Sequence, residues 1–339
     1  MEKPVKLPRK LPEQAEPVAY THLDRRELFS RWLPPAMATV LLGASGAVLR
    51  GREGRHRPPD VSQLAGLRDW RMSSDAALKL VVAKGQGPTQ NLHRALAAVG
   101  GIEGFVRPGE RIAIKPNCAW DRTPEQAANT NPELIGELAR LCLAAGAASV
   151  VVVDSTCHDA KRAFERSGIG AAAREAGATT AHQGSAGTVQ LELGGTRLGA
   201  WEVLRPIAEA DRVINVPIVK HHSLTGATLG MKNWFGALVG QRSQLHQRIH
   251  QVCAELGGAF RPTLTVVDAT RILTGSGPTG GSLSLVRELD QVAVATDPVA
   301  ADAWGASLLD REVHELPHLE IAARLGLGSA DWRGLLETV

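Results

Sequence analysis

The sequence predicts an α/β fold: a mostly parallel sheet flanked by helices, with a small hairpin insertion. Three observations predict it. Short apolar, β-rich runs alternate with stretches of helical periodicity from about residue 78 to residue 309. Four of those runs end in polar residues, as parallel strands do when their carboxyl ends converge on one site. Gly194-Gly195 separates two runs of alternating character, the signal of a hairpin.

The elements follow in order. Leu78–Val82 reads as a strand, Thr89–Val99 as a helix and Arg111–Lys115 as a second strand. Pro132–Ala145 carries Leu134, Leu138, Leu141 and Ala145 at helical spacing. Ser149–Val153 is a strand, residues 160–176 a helix and Thr179–His182 a short strand, and the hairpin spans Val189–Gly194 and Gly195–Glu202. Beyond it, Arg212–Val219 is a strand, Leu229–Leu238 a glycine-interrupted helix and Gln244–Leu256 an amphipathic helix. Strands at Leu264–Val267 and Val292–Ala295 and a helix at Pro298–Leu309 complete the pattern.

A chain of 339 residues can bury a sizeable core. With 44% hydrophobic and 22% charged residues it is neither a disulfide-held miniprotein nor a disordered chain. Residues 1–60 carry 11 of the 38 Lys/Arg but only 7 of the 35 Asp/Glu, so the positive excess belongs to the N-terminus. The remainder has no nucleic-acid footprint, and no nucleic-acid partner is expected.

The N-terminus reads as a targeting segment. A polar, basic stretch ends in Arg25-Arg26-Glu27-Leu28-Phe29 and leads into an acid-free apolar run of 17 residues, 33–49. This resembles a twin-arginine export signal, with the export machinery as partner and a periplasmic or outer-face location. N-terminal membrane anchorage is the alternative, because the run lies at the short edge of spanning length. The expected organisation is a signal or anchor over 1–50, an Arg-rich linker over 51–76 and a single α/β domain over 77–339. Four cysteines, Cys118, Cys142, Cys157 and Cys253, form no C-x-x-C pair. Disulfides or buried thiols are therefore both open, and spacing offers neither an iron–sulfur nor a zinc-ribbon motif.

The polar strand ends name the candidate site: Lys115 and Asn117, Asp154, Lys220 and His222, and Asp268. Lys232 joins them from a glycine-rich segment. A lysine at the end of a core strand needs an anion, a carboxylate or a water route for its ammonium. Lys115, Lys220 and Lys232 thus predict a cationic floor for an anionic small molecule, unless Asp154 and Asp268 neutralise them. Asp297, just before Pro298, reads as a helix N-cap. In SQLHQRIHQVCAEL, Leu245, Ile249, Val252 and Leu256 form an apolar stripe, while His246, His250 and Cys253 form another roughly 100° away. With His222 that second stripe could ligate a transition metal, zinc or iron. Gly277 and Gly280, in a glycine-rich loop, offer backbone N–H groups to an anion.

The segments IAIKPN, NVPIVKHHSLTGATLGMKNWFG, RPTLTVVDAT, GSGPTGG and TDPVAADAWGASLL resemble, in this order, the family called domain of unknown function 362. The similarity spans about residues 78–310. It implies that Lys115, Asn117, Lys220, His222, Thr225, Lys232, Asn233, His246, Asp268, Asp297 and Asp302 occupy family motif positions. Members of that family are often fused to iron–sulfur modules or carry export signals. The chain departs from the pattern in lacking a ferredoxin-type cysteine motif and in placing His221 where a small residue is commoner. An exported metal- or redox-dependent enzyme acting on an anionic small molecule is the leading expectation. A non-catalytic cell-envelope protein that captures an anion is the alternative.

Overall fold

A computed structural model of the chain describes residues 65–72 and 79–339. The expected export signal lies outside the described residues, and none of the described helices is long and apolar enough to cross a membrane.

The chain first lays down β1 (Leu80–Lys84), α1 (Pro88–Ala98), β2 (Arg111–Pro116), α2 (Pro132–Ala144), β3 (Ser149–Asp154), α3 (Ala160–Arg166), α4 (Ile169–Glu175) and β4 (Thr179–His182). A hairpin follows, β5 (Thr188–Glu192) and β6 (Ala200–Leu204), then α5 (Arg205–Ala208) and β7 (Arg212–Val216). Next come β8 (Ile218–His222), β9 (Gly226–Thr228), α6 (Gly230–Asn233), β10 (Leu238–Val239) and α7 (Ile249–Ala259). The fold ends with β11 (Leu264–Leu273), β12 (Val286–Ala295), α8 (Pro298–Ser307), α9 (Pro317–Arg324) and β13 (Leu336–Thr338).

The main sheet has the order β13-β1-β12-β11-β7-β2-β3-β4, and from β11 to β4 every neighbouring pair is parallel. The strand β12 runs antiparallel to both its neighbours. The expected α/β class with a mostly parallel sheet is therefore what forms, and the hairpin builds a separate three-stranded sheet with β10. Strand residues alternate between two apolar layers: Val81, Ile112, Ile114, Val150 and Val292 face α1 and α2, while Ala113, Val153 and Val213 face the hairpin and α7. Burial on both faces is the reason these strands read as continuous apolar runs. After β4 the chain returns to place β7 on the other side of β2, which makes a topological switch between β2 and β7. Such a point opens a crevice at the strand carboxyl ends.

Local chemistry explains the departures from the expected elements. The helix expected over 160–176 is broken at Gly168, whose φ of 74° only glycine adopts freely, so it becomes α3 and α4. Pro217 lacks an N–H and ends β7, and β8 resumes as a partner of β11. Leu229–Leu238 makes only one α-helical turn before tightening into a 3₁₀ helix at Trp234–Ala237. The stretch at Arg242–Arg248 is likewise 3₁₀, and α-helix begins only at Ile249. The hairpin strands are joined through residues 193–199 rather than by Gly194-Gly195 alone.

The stretch read as a linker, 51–76, is not free along its whole length. Trp70 is fully buried, its Nε1–H donates to the Ala210 carbonyl at 3.0 Å, and its own carbonyl accepts from Thr263 Oγ1 at 2.8 Å. The indole belongs to the apolar layer beneath the hairpin. Trp70→Ala should lower the unfolding free energy by about 3–5 kcal/mol, as truncation of a buried aromatic does. Urea unfolding of the full chain checks this; a change below about 0.5 kcal/mol, the level of a surface site, would mean that the segment is a linker after all.

Candidate functional site

At the switch point the ends of β2, β3 and β8 frame a cleft of about 440 Å³. Asn117, Asp154, Lys220, His222, Lys232 and Asn233 supply its polar lining, and Trp120, Phe235 and Pro278 its apolar walls. Arg242, His246 and Cys157 also face it.

Each of the three lysines meets burial differently. Lys115 lies beneath the cleft at 0% exposure, 2.9 Å from Asp154 Oδ1, and also donates to the Pro116 carbonyl at 2.6 Å and Asn233 Oδ1 at 3.2 Å. Burial pushes Lys115 down and Asp154 up, each opposed by the other's charge. The second carboxylate oxygen of Asp154 accepts from the Cys118 N–H at 2.6 Å, so this acid is committed on both sides. Lys220 donates to Asn117 Oδ1 at 2.9 Å and to the Ala128 carbonyl, both neutral acceptors. Burial without a carboxylate partner brings it down to about 7. Lys232 is 9% exposed and stands 3.6 Å from the centroid of the Phe235 ring. Among the described residues no carboxylate lies within 4.0 Å of it, and no hydrogen-bond acceptor is aligned with it. Burial lowers it as well.

His222 accepts at Nδ1 from the Leu224 and Thr225 N–H groups, at 3.1 and 3.3 Å. This network assigns the proton to Nε2. Burial, then the charges of Lys232 and Lys220, drive the ring down to about 3, so it is a neutral donor. Among the described residues Arg242 binds no acid; it clamps the carbonyls of Ser155, Phe235 and Thr156 at 2.9 to 3.0 Å, tying the loop after β3 to the loop before α7. Close approach explains two glycines. A Cβ at 236 would strike Asp154 Oδ1 and Lys115 Nζ, and one at 230 would lie 2.8 Å from Asp302 Oδ1.

Residues 112–307 match the family model described as Domain of unknown function (DUF362). The chain belongs to this family. Within it, a thylakoid-associated protein of Synechocystis sp. is 27% identical over 247 residues, covering 70% of this chain and 74% of its own length. Among solved structures, the lactate racemase apoprotein of Thermoanaerobacterium thermosaccharolyticum matches with a TM-score of 0.44 at 13% identity. A Thermotoga maritima protein gives 0.35 at 10%. Each covers 71% of this chain, which spans 58% and 60% of their lengths.

In this DUF362 protein the cleft gathers Asn117, Asp154, Lys220 and His222 from the ends of apolar strands, Lys232 and Asn233 from the glycine-rich turn, and Lys115 directly below. Asp268 is a correction. The strand β11 continues to Leu273, so Asp268 sits mid-strand, fully buried, accepting from Asn131 N–H and from Thr270 N–H and Oγ1. It anchors the start of α2 rather than entering the cleft. The glycine loop is a second correction: the Gly277 N–H is taken by His221 Nδ1 and the Gly280 N–H by the Ser276 carbonyl, so neither is free for an anion. Thr225 is fully buried, supports His222 through its N–H and bonds the Ala227 carbonyl through Oγ1. Asp297 caps α8, as expected, and Asp302 accepts from the N–H groups of Gly230 and Met231, orienting the turn that carries Lys232.

The metal set of His222, His246, His250 and Cys253 is not assembled. The 3₁₀ segment ends before His250, so His246 and His250 do not share one α-helical face. His246 reaches the cleft, whereas His250 Nδ1 lies 3.2 Å from His318 Nδ1, and Cys253 is fully buried with its thiol pushed up to about 12. No group of three or more His, Cys, Asp or Glu side chains among the described residues is placed to hold a metal ion. A zinc or iron site does not fit these residues. All four cysteines are free.

Sequence reasoning missed Arg242, Trp120 and Phe235 in the cleft, and His318 behind it. Trp120 lies four residues past the end of β2, and only the return of distant segments brings in Phe235, Arg242 and His318. His318 is fully buried and driven down to about 3 by burial and by the charges of His250 and Lys232. Between about pH 3 and 6.5 the unfolded chain therefore binds a proton at this site that the folded chain does not, and its stability contribution rises with pH across that window. Relative to His318→Gln, the wild type should lose unfolding free energy progressively as pH falls from 6.5 towards 3. Urea midpoints at several pH values check this; parallel curves for the two proteins would contradict it.

Proposed function

We propose that the cleft binds a small anionic molecule and exchanges a proton with it through Lys220, at the outer face of a membrane. One observation carries the reading: Lys232 is nine-tenths buried and opens on the cleft, yet among the described residues no carboxylate lies within 4.0 Å of it. An ammonium so placed is stable only with a counter-charge or a water route, and the cleft supplies room for a ligand that brings the charge. The one carboxylate in the lining, Asp154, is already held by Lys115 and the Cys118 N–H.

The parts have separable roles. Lys232 meets the anionic group, with the Phe235 face holding its charge in place. The Nε2–H of neutral His222 donates to a ligand oxygen without adding charge. Lys220, brought to about 7, gives up or takes a proton at neutral pH, the condition under which a general acid or base works best. Asn117 fixes the Lys220 ammonium, and Trp120 and Pro278 bound the non-ionic part of the ligand.

The outer-face location rests on Arg25-Arg26 and the apolar run after it. A cyanobacterial relative whose name associates it with thylakoids accords with a place at a membrane.

Calorimetric titration of the full chain with a panel of carboxylates and phosphate esters tests the reading. At least one anion should bind. Lys232→Met should weaken it tenfold or more, as loss of a charge-assisted contact worth about 1.5–3 kcal/mol requires. Binding of an anion favours the protonated form of Lys220, so affinity should be flat below about pH 7 and fall by up to tenfold per unit above it. A panel with no binder, or a binder indifferent to Lys232→Met, would overturn the proposal. Replacing Arg25-Arg26 with Lys-Lys should leave the protein in the cytoplasm on cell fractionation; undiminished delivery to the periplasm would sink the export reading.

A further inference from the structure

Cys157 is the exposed cysteine of the four; Cys118, Cys142 and Cys253 are each at 0% exposure. It lines the same cleft as Lys220, Lys232, His222 and Arg242. It is also close enough to Lys220 and Lys232 for a charge on its sulfur to act on both ammonium groups. Its backbone is fixed. The Cys157 N–H donates to the Ala119 carbonyl at 3.0 Å, the Ser155 N–H to the Gly236 carbonyl at 2.7 Å, and Arg242 grips the Ser155 and Thr156 carbonyls. The sulfur is thus held at the rim of a pocket whose cation Lys232, without a carboxylate partner among the described residues, draws anions in. Trp120, Phe235 and Pro278 give a flat or apolar body a surface beside it.

We infer that Cys157 is a covalent modification site: it forms a mixed disulfide with the disulfide of a small anionic thiol that the cleft captures. The inference rests on the proposed anion-binding reading of the cleft. The Cys157 thiolate attacks one sulfur of the incoming disulfide, the new S–S bond forms as the old one breaks, and the second half leaves as a thiolate that takes up a proton from water. Cys157 is oxidised and the incoming disulfide is reduced, so no other oxidant is needed. Cys118, Cys142 and Cys253 are buried away from the cleft, so no internal thiol displaces the adduct. The adduct places its negative charge where Lys232 and Lys220 lie and fills the site, which makes thiol redox state a brake on ligand binding. Small thiols reverse it.

Two reagents of similar size and opposite charge character test this on the full-length native chain: dianionic dithiobis(nitrobenzoate) and uncharged dithiodipyridine. The native protein should release about one equivalent of thiolate per chain, the single accessible thiol being the one that exchanges. Peptide mass mapping should place the label on Cys157, and Cys157→Ser should release none. The rate ratio of anionic to neutral reagent should fall about tenfold in Lys232→Met. In the wild type it should fall similarly as ionic strength rises from about 0.02 M to about 0.5 M, where screening shortens to a few ångströms. The salt series decides the matter by itself if Lys232→Met fails to fold. A native Cys157 that neither reagent labels, while anion binding by calorimetry persists, would overturn this inference and leave the cleft reading standing. Labelling of Cys157 by both reagents with a ratio insensitive to Lys232 and to salt would overturn the capture step and the cationic reading together.

Discussion

The interaction on which the site depends is the burial of three ammonium groups around one carboxylate. Removing an ammonium from water costs several kcal/mol even after relaxation, and only a partner of opposite charge or a change of protonation offsets it. The chain uses a different solution at each depth. Lys115, the deepest, keeps Asp154 at 2.9 Å and two neutral acceptors. Lys220, one layer out, has among the described residues only amide and carbonyl oxygens and gives up much of its affinity for a proton. Lys232, at the cleft, has an aromatic face and, among the described residues, no carboxylate within 4.0 Å. The gradient from satisfied to unsatisfied cation points from the core into the cleft, which is what turns a structural cluster into a site.

The scaffold maintains that gradient through close approach rather than through additional charge. Asp154 and Lys115 leave no room for a side chain at 236, so the 3₁₀ turn passes directly over the pair. The Asp302 carboxylate holds the Gly230 and Met231 N–H groups and thereby sets where Lys232 emerges; burial raises that carboxyl to about 7. Asn233 joins Lys115, Asn117 and Asn215 by hydrogen bonds, which tie the ends of β2 and β7 to the turn after β9. A site fixed in this way loses little ordering entropy when a ligand arrives.

The acids are spent elsewhere, and that explains the sign of the cleft. Asp268 serves Asn131 and Thr270, Asp297 serves Val299, Ala300 and Ser329, and Asp302 serves Gly230 and Met231. Each stabilises a helix start or a turn through backbone N–H groups, a role for which short carboxylates are suited. A motif rich in aspartate thus produces a cationic cavity, because the aspartates hold the frame while Lys220 and Lys232 line the cleft.

Most of the fold and about half of the site were legible in the residues themselves. Buried parallel strands must be apolar on both faces, so their positions show directly, and a lysine following such a strand is conspicuous for the same reason; Lys115, Lys220, His222 and Asn117 were found in this way. Helix type and strand length were decided by tertiary contacts. The strand β11 runs on to Leu273 because β12 and β8 supply partners for its backbone, and this moves Asp268 out of the cleft. The 3₁₀ winding of residues 242–248 separates His246 from His250, so a spacing that suits a metal on an α-helix does not occur. Trp120, Phe235 and Arg242 carry no local signal, since their meeting depends on loops far apart in sequence closing over the switch between β2 and β7. The sequence by itself determined which residues must be buried and which buried charges need partners. Only the tertiary structure decided which partner each received, because partnership depends on distances of a few ångströms that chain periodicity does not encode.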